Sequence, residues 1–347
     1  MSEPRGTSEL PSVALSVLDL LLVSETQTAA DSLASTQAVA RTAEDLGFTR
    51  YWIGEHHNES TIASAAGPLV IAAVGGVTTR LRIGSGPVHL PNYSPYVIAE
   101  QFGTLNALFG DRVDIGVGRS APDDPRVAAA LRGGTAASEQ PFDARFDELV
   151  SYLRGAPPAS DADPRPVRAY PHYATRPPLW IQAATLAAAE FAAERGFPLT
   201  FLDYFKPDLT EDALRLYREK FRPSEYADQP YVALVANVVC AADDEQAQWL
   251  AAPGVLATAD LQTGVHADAM PTPERAAAHN WSGPQAEFRS RYFARSAIGG
   301  PALVRERLAE LLDRTKADEL MAVNTVTGTA ARTESLTRLR DLFLDAR

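Results

Sequence analysis

Three of the six histidines stand where a short apolar run gives way to a polar turn. His56 and His57 follow Tyr51–Gly54, and His89 comes shortly after Leu81–Ser85. An imidazole titrates near neutral pH, so a histidine placed there can pass a proton to or from a reacting group. Neighbouring residues of an extended segment point to opposite sides, so only one of His56 and His57 can face a given site. The other packs against a helix or caps one. Zinc would need a helix-borne His-Glu-x-x-His or three converging ligands, and Glu55-His56-His57 has neither spacing, so no metal is expected.

Arg119 closes the run Val113–Gly118 in a glycine-rich context. A guanidinium matches phosphate geometry, so an unpaired arginine there would take an anion; a salt bridge to Asp123 or Asp124 is the alternative. Thr185 follows Leu179–Gln182 and opens a helical stretch. The backbone N–H groups of such a helix start form an anion site to which a hydroxyl adds, or Thr185 is simply the N-cap. Together Arg119 and the Thr185 helix start would cradle one phosphate from neighbouring strands. Gly86-Pro87 is a small, stiff step where a cis bond is affordable and a flat ring could rest; it also reads as a plain strand terminator.

These residues need elements to hold them. Apolar strand-like runs occur at Val13–Leu22, Tyr51–Gly54, Leu81–Ser85, Val113–Val117, Leu179–Gln182, Leu199–Leu202, Tyr231–Cys240 and Glu319–Asn324. Helix-period stretches fall between them at Thr28–Leu46, Ile62–Val77, Pro95–Leu108, Phe142–Leu153, Leu186–Arg195, Leu209–Phe221, Asp244–Leu250 and Pro301–Arg314, and Glu334–Leu344 closes the chain. Parallel neighbours require helical crossovers, so eight strand–helix units in 347 residues predict a closed (β/α)8 TIM barrel, an α/β fold in one domain over 1–347. An open doubly wound sheet is the alternative, but no G-x-G-x-x-G follows the first strand. Two inserted segments interrupt the pattern, 156–178 and 253–300. Pro253–Pro284 reads as irregular, and both segments are long enough to act as lids. The candidate groups all fall at C-terminal strand ends, where barrel sites lie.

Composition narrows the function classes. There are 32 basic and 44 acidic residues, a net charge of -12, which argues against nucleic-acid partners. The one cysteine, Cys240, excludes an internal disulfide and a cysteine-based zinc site. It lies in the apolar run Val235–Cys240 and reads as a small buried hydrophobe. The opening MSEPRGTSEL has no apolar signal core and no run is long enough to span a bilayer, so a cytoplasmic protein with no membrane partner is expected.

The block Tyr51-Trp52-Ile53-Gly54-Glu55-His56-His57-Asn58 continues through Arg82-Ile83-Gly84-Ser85-Gly86, Leu90-Pro91-Asn92 and Ala99-Glu100-Gln101-Phe102-Gly103-Thr104-Leu105 to Gly110-Asp111-Arg112-Val113-Asp114-Ile115-Gly116-Val117-Gly118-Arg119. In this order it resembles the bacterial luciferase-like flavin-dependent monooxygenases. The likeness runs on through Phe221-Arg222-Pro223-Ser224 and Ala317-Asp318-Glu319-Leu320-Met321, nearly the whole chain. It implies a TIM barrel using reduced flavin mononucleotide (FMN) as cosubstrate, delivered by a separate flavin reductase, with O2 as oxidant. A second branch of the superfamily transfers hydride with a deazaflavin, and some members are non-catalytic partner subunits. The resemblance assigns His56 as the catalytic histidine and Gly86-Pro87, with Ser85, as the flavin-supporting step. Arg119 becomes the phosphate-binding arginine, and Ala183, Ala184 and Thr185 the phosphate loop. It also implies a homodimer through the flank around the second and third strands.

This chain departs from its relatives at the site. Gln182-Ala183-Ala184-Thr185 replaces the usual L-G-S-S, and Ala188 stands where a further serine is common, so two hydroxyls are missing. Gly86-Pro87-Val88-His89-Leu90-Pro91-Asn92-Tyr93 replaces G-G-I-M-L-P-N-H, and Leu20-Leu21-Leu22-Val23 stands where A-P-V is frequent. A lining of Tyr93, His89, Phe201 and Tyr204 would favour a small hydrophobic or aromatic substrate.

Overall fold

Along β2 (Arg50–Ile53) every side chain is buried, yet alternate ones enter different surroundings. Tyr51 and Ile53 join the large cluster between strands and helices, whereas Trp52 joins a smaller one with Leu18, Trp180, Ala233, Val235, Met321 and Val323. A strand apolar on both faces belongs in a parallel sheet covered by helices. All pairings among the named strands are parallel.

The computed structural model describes residues 10–120, 124–133, 140–156, 166–173, 175–265, 267–281 and 283–344. Eight strands make the ring: β1 (Ala14–Asp19), β2, β3 (Arg82–Ser85), β5 (Val113–Gly118), β6 (Leu179–Ala183), β7 (Leu199–Leu202), β8 (Val232–Cys240) and β10 (Glu319–Val323). Pairing of β10 with both β1 and β8 closes it, so the fold is the expected TIM barrel and not an open sheet. Two short strands sit at the rim: β4 (Val88–His89) on β5, and β9 (Ala297–Gly299) on the overhanging end of β8.

Glycines make room for the indole inside. A Cβ on Gly116 would come within 2.2 Å of the Ser85 carbonyl and 3.2 Å of the Trp52 ring; one on Gly84 would lie 2.9 Å from Trp52 Nε1. Below the indole lies a buried charge cluster. Arg50 donates to Glu319 Oε1 at 2.7 Å and to Asp114 Oδ2 at 2.8 Å. Asp114 also accepts from Trp52 Nε1 and Arg82 Nε, and the Tyr231 hydroxyl donates to Glu319. Outside the wall, Asp19 accepts from Tyr51, Thr36 and Arg332, tying β1 and β2 to α1 (Ala29–Asp45) and α12 (Thr329–Leu344).

The expected helices form, with differences that have identifiable causes. Ile62 does not open a helix: it bridges to Leu22, and α2 (Gly67–Gly75) starts with Pro68 in its first turn. A short α4 (Pro125–Leu131) precedes α5 (Phe142–Leu153), which lies near α3 (Pro95–Phe109). The stretch expected to be irregular from Pro253 is instead helical over much of its length. Helix α8 runs Asp244–Gln262 through Pro253, followed by α9 (Pro273–Ala277) and α10 (Gly283–Arg295). Pro253 lacks a donor and costs a helix interior about 3 kcal/mol, but Ala251 through Val255 are all buried, and that packing outweighs the penalty. The three helices form a cap tied to the loops after β1 and β2, through Ser60 to the Ala267 carbonyl and the Thr272 N–H to Glu25. The 156–178 segment lies partly outside the described residues.

Truncating one partner of a buried ion pair leaves an uncompensated charge. Arg50→Met is expected to cost about 3–5 kcal/mol in urea unfolding, and a loss under about 1 kcal/mol would contradict this role.

Candidate functional site at the C-terminal rim of the barrel

The alternation that turns Trp52 and Gly54 inward carries His56 to the same side, while Glu55 and His57 face outward. His56 Nδ1 is buried with no hydrogen-bond partner. Burial, then the nearby His89 and His57, lowers its pKa to about 4, so the ring is neutral at neutral pH. His57 Nε2 meets Glu55 Oε1 at 3.0 Å and the Tyr93 hydroxyl at 3.2 Å. Glu55 is buried, and burial followed by the Glu55 charge pushes the Tyr93 phenol up. His89 is likewise lowered, chiefly by burial, and its Nδ1 has no partner.

Glu55, His57 and Tyr93 end a cavity of about 610 Å³ that lies outside the barrel wall, between α2 and α3, with Ala72, Ile98 and Leu105 among its lining. Of the predicted lining residues, Tyr93 is therefore directed to this outer cavity. Phe201 is fully buried in the strand–helix core and lines nothing, because its place on β7 is the outward one. Tyr204 packs against the inner cluster.

The Gly86-Pro87 bond is cis. A Cβ on Gly86 would meet Leu18 at 2.5 Å and Trp52 at 3.3 Å, and one on Gly118 would meet the Pro87 ring at 2.7 Å, so this step rests flat on the barrel filling. Ser85 Oγ is occupied within the wall, donating to the Gly116 carbonyl and accepting its N–H. Only the Ser85 backbone is left to face a ligand.

Arg119 and Thr185 follow neighbouring strands. Their strands β5 and β6 are adjacent, with Gly118 opposite Gln182. The Arg119 guanidinium lies over Phe142 at 5.0 Å and Phe191 at 5.5 Å, and among the described residues its carboxylate partner is Asp143 at a loose 3.9 Å. Asp124, one of the two alternative partners, instead binds Arg126; Asp123 lies outside the described residues. Thr185 is the N-cap of α6 (Leu186–Arg195), its Oγ1 accepting the Ala188 N–H at 3.2 Å. The N–H groups of Leu186 and Ala187 remain in the open first turn. The Ala183 methyl sits in the outer core, so Ala183 can offer only its backbone, whereas Ala184 is half-buried at the rim.

Other rim residues carry no motif. Gln182, Asn237 and Thr325 are buried, with Gln182 Oε1, Asn237 Oδ1 and Thr325 Oγ1 unpartnered. Counting by twos from Trp180, Val235 and Val323 would have found each of them. Buried polar atoms are ordinarily satisfied, so these inward-facing orphans leave hydrogen-bonding capacity at the rim for water or a ligand.

The chain matches the family model described as luciferase-like monooxygenase over residues 15–319. It is 36% identical over 330 residues to a luciferase-like monooxygenase of Escherichia coli (strain K12), covering 95% of this chain and 97% of that protein. Among solved structures, apo-MsnO8 superposes with a TM-score of 0.85 at 32% identity, covering 96% of this chain and 98% of that one. The oxygenating constituent of 3,6-diketocamphane monooxygenase of Pseudomonas putida, in complex with FMN, shares the fold at a TM-score of 0.71 and 16% identity, with 96% and 98% covered. With its barrel closed in the same way and its sequence matched almost end to end, the chain belongs to the luciferase-like monooxygenase family.

Proposed function

We propose that the chain is a monooxygenase that takes reduced FMN as cosubstrate from a separate reductase and oxygenates a small organic molecule with an apolar body. The observation that carries the reading is the pairing of a loosely partnered Arg119 with the open first turn of α6 on adjacent strand ends. In a chain of net charge -12, this is a place prepared for an anion. The two aromatic faces under the guanidinium hold its plane while leaving its N–H edge free for a phosphate.

The residues fit FMN in three respects. Arg119 and the Leu186 and Ala187 N–H groups would hold the phosphate; the cis Gly86-Pro87 step would floor the ring; Gln182 would reach its polar edge. Bound reduced flavin supplies the two electrons that let one oxygen atom of O2 enter the substrate while the other leaves as water. His56, neutral and on the inward register, accepts a proton at a ring nitrogen. The α8–α10 cap excludes water from the rim. On the flank, Leu69 of α2 is 74% exposed and Leu108 of α3 is 62% exposed, an apolar face for a second copy of the chain.

Titration with FMN and with a deazaflavin tests the cofactor. FMN, oxidised or reduced, is expected to bind, and Arg119→Ala to weaken it by about 10- to 100-fold, as for loss of charge-assisted bonds. Binding of neither FMN form by folded protein, or preference for the deazaflavin, would overturn the reading.

The His56 resonance is expected to titrate near 4 and not near 6.5. Because the unfolded chain takes up this proton first, fold stability should be intact above about pH 6.5 and fall as pH drops towards 4. His56→Phe should flatten that slope, and a midpoint near 6.5 would remove the buried neutral imidazole.

Sedimentation velocity checks the flank: a dimer for the native chain, and a monomer for Leu69→Lys combined with Leu108→Lys. A dimer that survives both changes must use another face.

A further inference from the structure

The β8–β10 side of the rim holds polar groups that the flavin reading does not use. Asn237 lies on β8, opposite Val323 in register, and is 4% exposed. Its Oδ1 is buried and has no partner. Thr325 follows β10 by two residues, keeps the inward register of Val323, and is 9% exposed with Oγ1 equally unpartnered. A buried acceptor or hydroxyl left without a bond is destabilising, and here two stand on neighbouring strand ends. The hydroxyl of Tyr292, on cap helix α10, faces both side chains, and Tyr204 at the end of β7 lies close enough to act on it.

The chemistry of the set is specific. Asn237 Oδ1 is a buried acceptor in need of a donor. Burial pushes the phenols of Tyr204 and Tyr292 up to about 12, so both remain protonated donors, and no charged side chain acts on either. A carboxylate or phosphate would bring two acceptors against Asn237 Oδ1, and the arginines of the cavity that Asn237 borders are already engaged, Arg295 by Asp208, Arg314 by Glu211 and Arg307 by backbone carbonyls. An ether could not donate. A hydroxyl donates to Oδ1 and accepts from Thr325 or Tyr292 through one atom. The nearby inner-cluster residues Leu20, Leu202, Val235, Met321 and Val323 suit an apolar remainder.

We propose that Asn237, Thr325 and Tyr292 form the substrate-recognition site, and that it takes a neutral hydroxyl on an otherwise apolar molecule. The cap completes it. The α8 backbone rests on Thr325, where a Cβ on Gly254 would come within 2.9 Å. Helix α10 has no buried residue, and its Phe288, Tyr292 and Phe293 are all half-exposed. Tyr292 and Phe293 nevertheless pack against the cluster of Val239, Ala247, Ile298 and Val326, which fixes the phenol beside the ends of β8 and β10. The inference deepens the flavin-monooxygenase reading and rests on it for the reaction, though not for the binding.

Calorimetry on the full chain with 4-butylphenol, 4-butylanisole and 4-butylbenzoate, with and without oxidised FMN, tests this. The phenol is expected to bind at least about tenfold more tightly than the anisole, with the benzoate weakest. Asn237→Leu and Tyr292→Phe should each lower phenol affinity about tenfold and leave the anisole within about twofold. Should Asn237→Leu fail to fold, Tyr292→Phe on the half-exposed helix decides alone. Equal affinity for phenol and anisole, binding of none of the three, or wild-type phenol affinity in Tyr292→Phe overturns the site. FMN titration of the same samples separates the two readings. Phenol selectivity without FMN binding sinks the flavin reading and leaves this site; FMN binding without phenol selectivity does the reverse.

Discussion

The arrangement at the rim depends on Arg50 in the barrel floor. Its guanidinium reaches from β2 to Glu319 on β10 and to Asp114 on β5, and lies 4.6 Å from the Trp180 ring. It thereby spans the interior between strands that are not neighbours. Removing these charges from water costs several kcal/mol per ion, and the attraction between them repays much of that only because nearly every donor and acceptor is used. The yield is therefore less in stability than in uniqueness. Asp114 also fixes Trp52 Nε1, and the indole then dictates where Gly84, Gly86 and Gly116 must lack side chains. The Gly86-Pro87 step lies flat because of what is buried one layer below it.

The same chain of causes explains what could be read from the sequence. Strands are legible because a doubly covered strand is a short unbroken apolar run, and the glycines of Arg82–Gly86 and Val113–Gly118 are legible because an indole leaves them no choice. His56, Arg119 and Thr185 could be singled out because a strand end is a local feature. Asn237 and Thr325 carry no motif and emerge only once strand parity is counted, and Tyr292 lies on α10, more than fifty residues of sequence after β8. Phe201 failed for the same reason in reverse: one step of register turns a rim aromatic into a core one. Pro253 misled because local propensity was outweighed by burial that no local pattern shows.

Electrostatics divides the rim into unlike halves. On β5 and β6 stand a cation and a helix N-terminus, both suited to a doubly charged phosphate. At the ends of β7, β8 and β10 and on the facing helix α10 stand two phenols, a carboxamide and a hydroxyl, all neutral. His56, uncharged through burial, belongs to neither charge class. On the two proposals together, a phosphate and a neutral hydroxyl would meet different sides of the rim.

That division also bears on the missing hydroxyls of the phosphate loop. On the proposed flavin reading, Ala183 and Ala184 would leave a phosphate largely to Arg119 and the α6 N–H groups. A cosubstrate that is reduced elsewhere has to come and go at each turnover, and tight retention would slow exchange. The neutral half has the opposite requirement, since an apolar molecule with one hydroxyl offers few handles and must be enclosed to be held. The cap helices lie at the β8–β10 side, with Gly254 of α8 close against Thr325, and Asn237 Oδ1 and Thr325 Oγ1 are left unpaired beneath them.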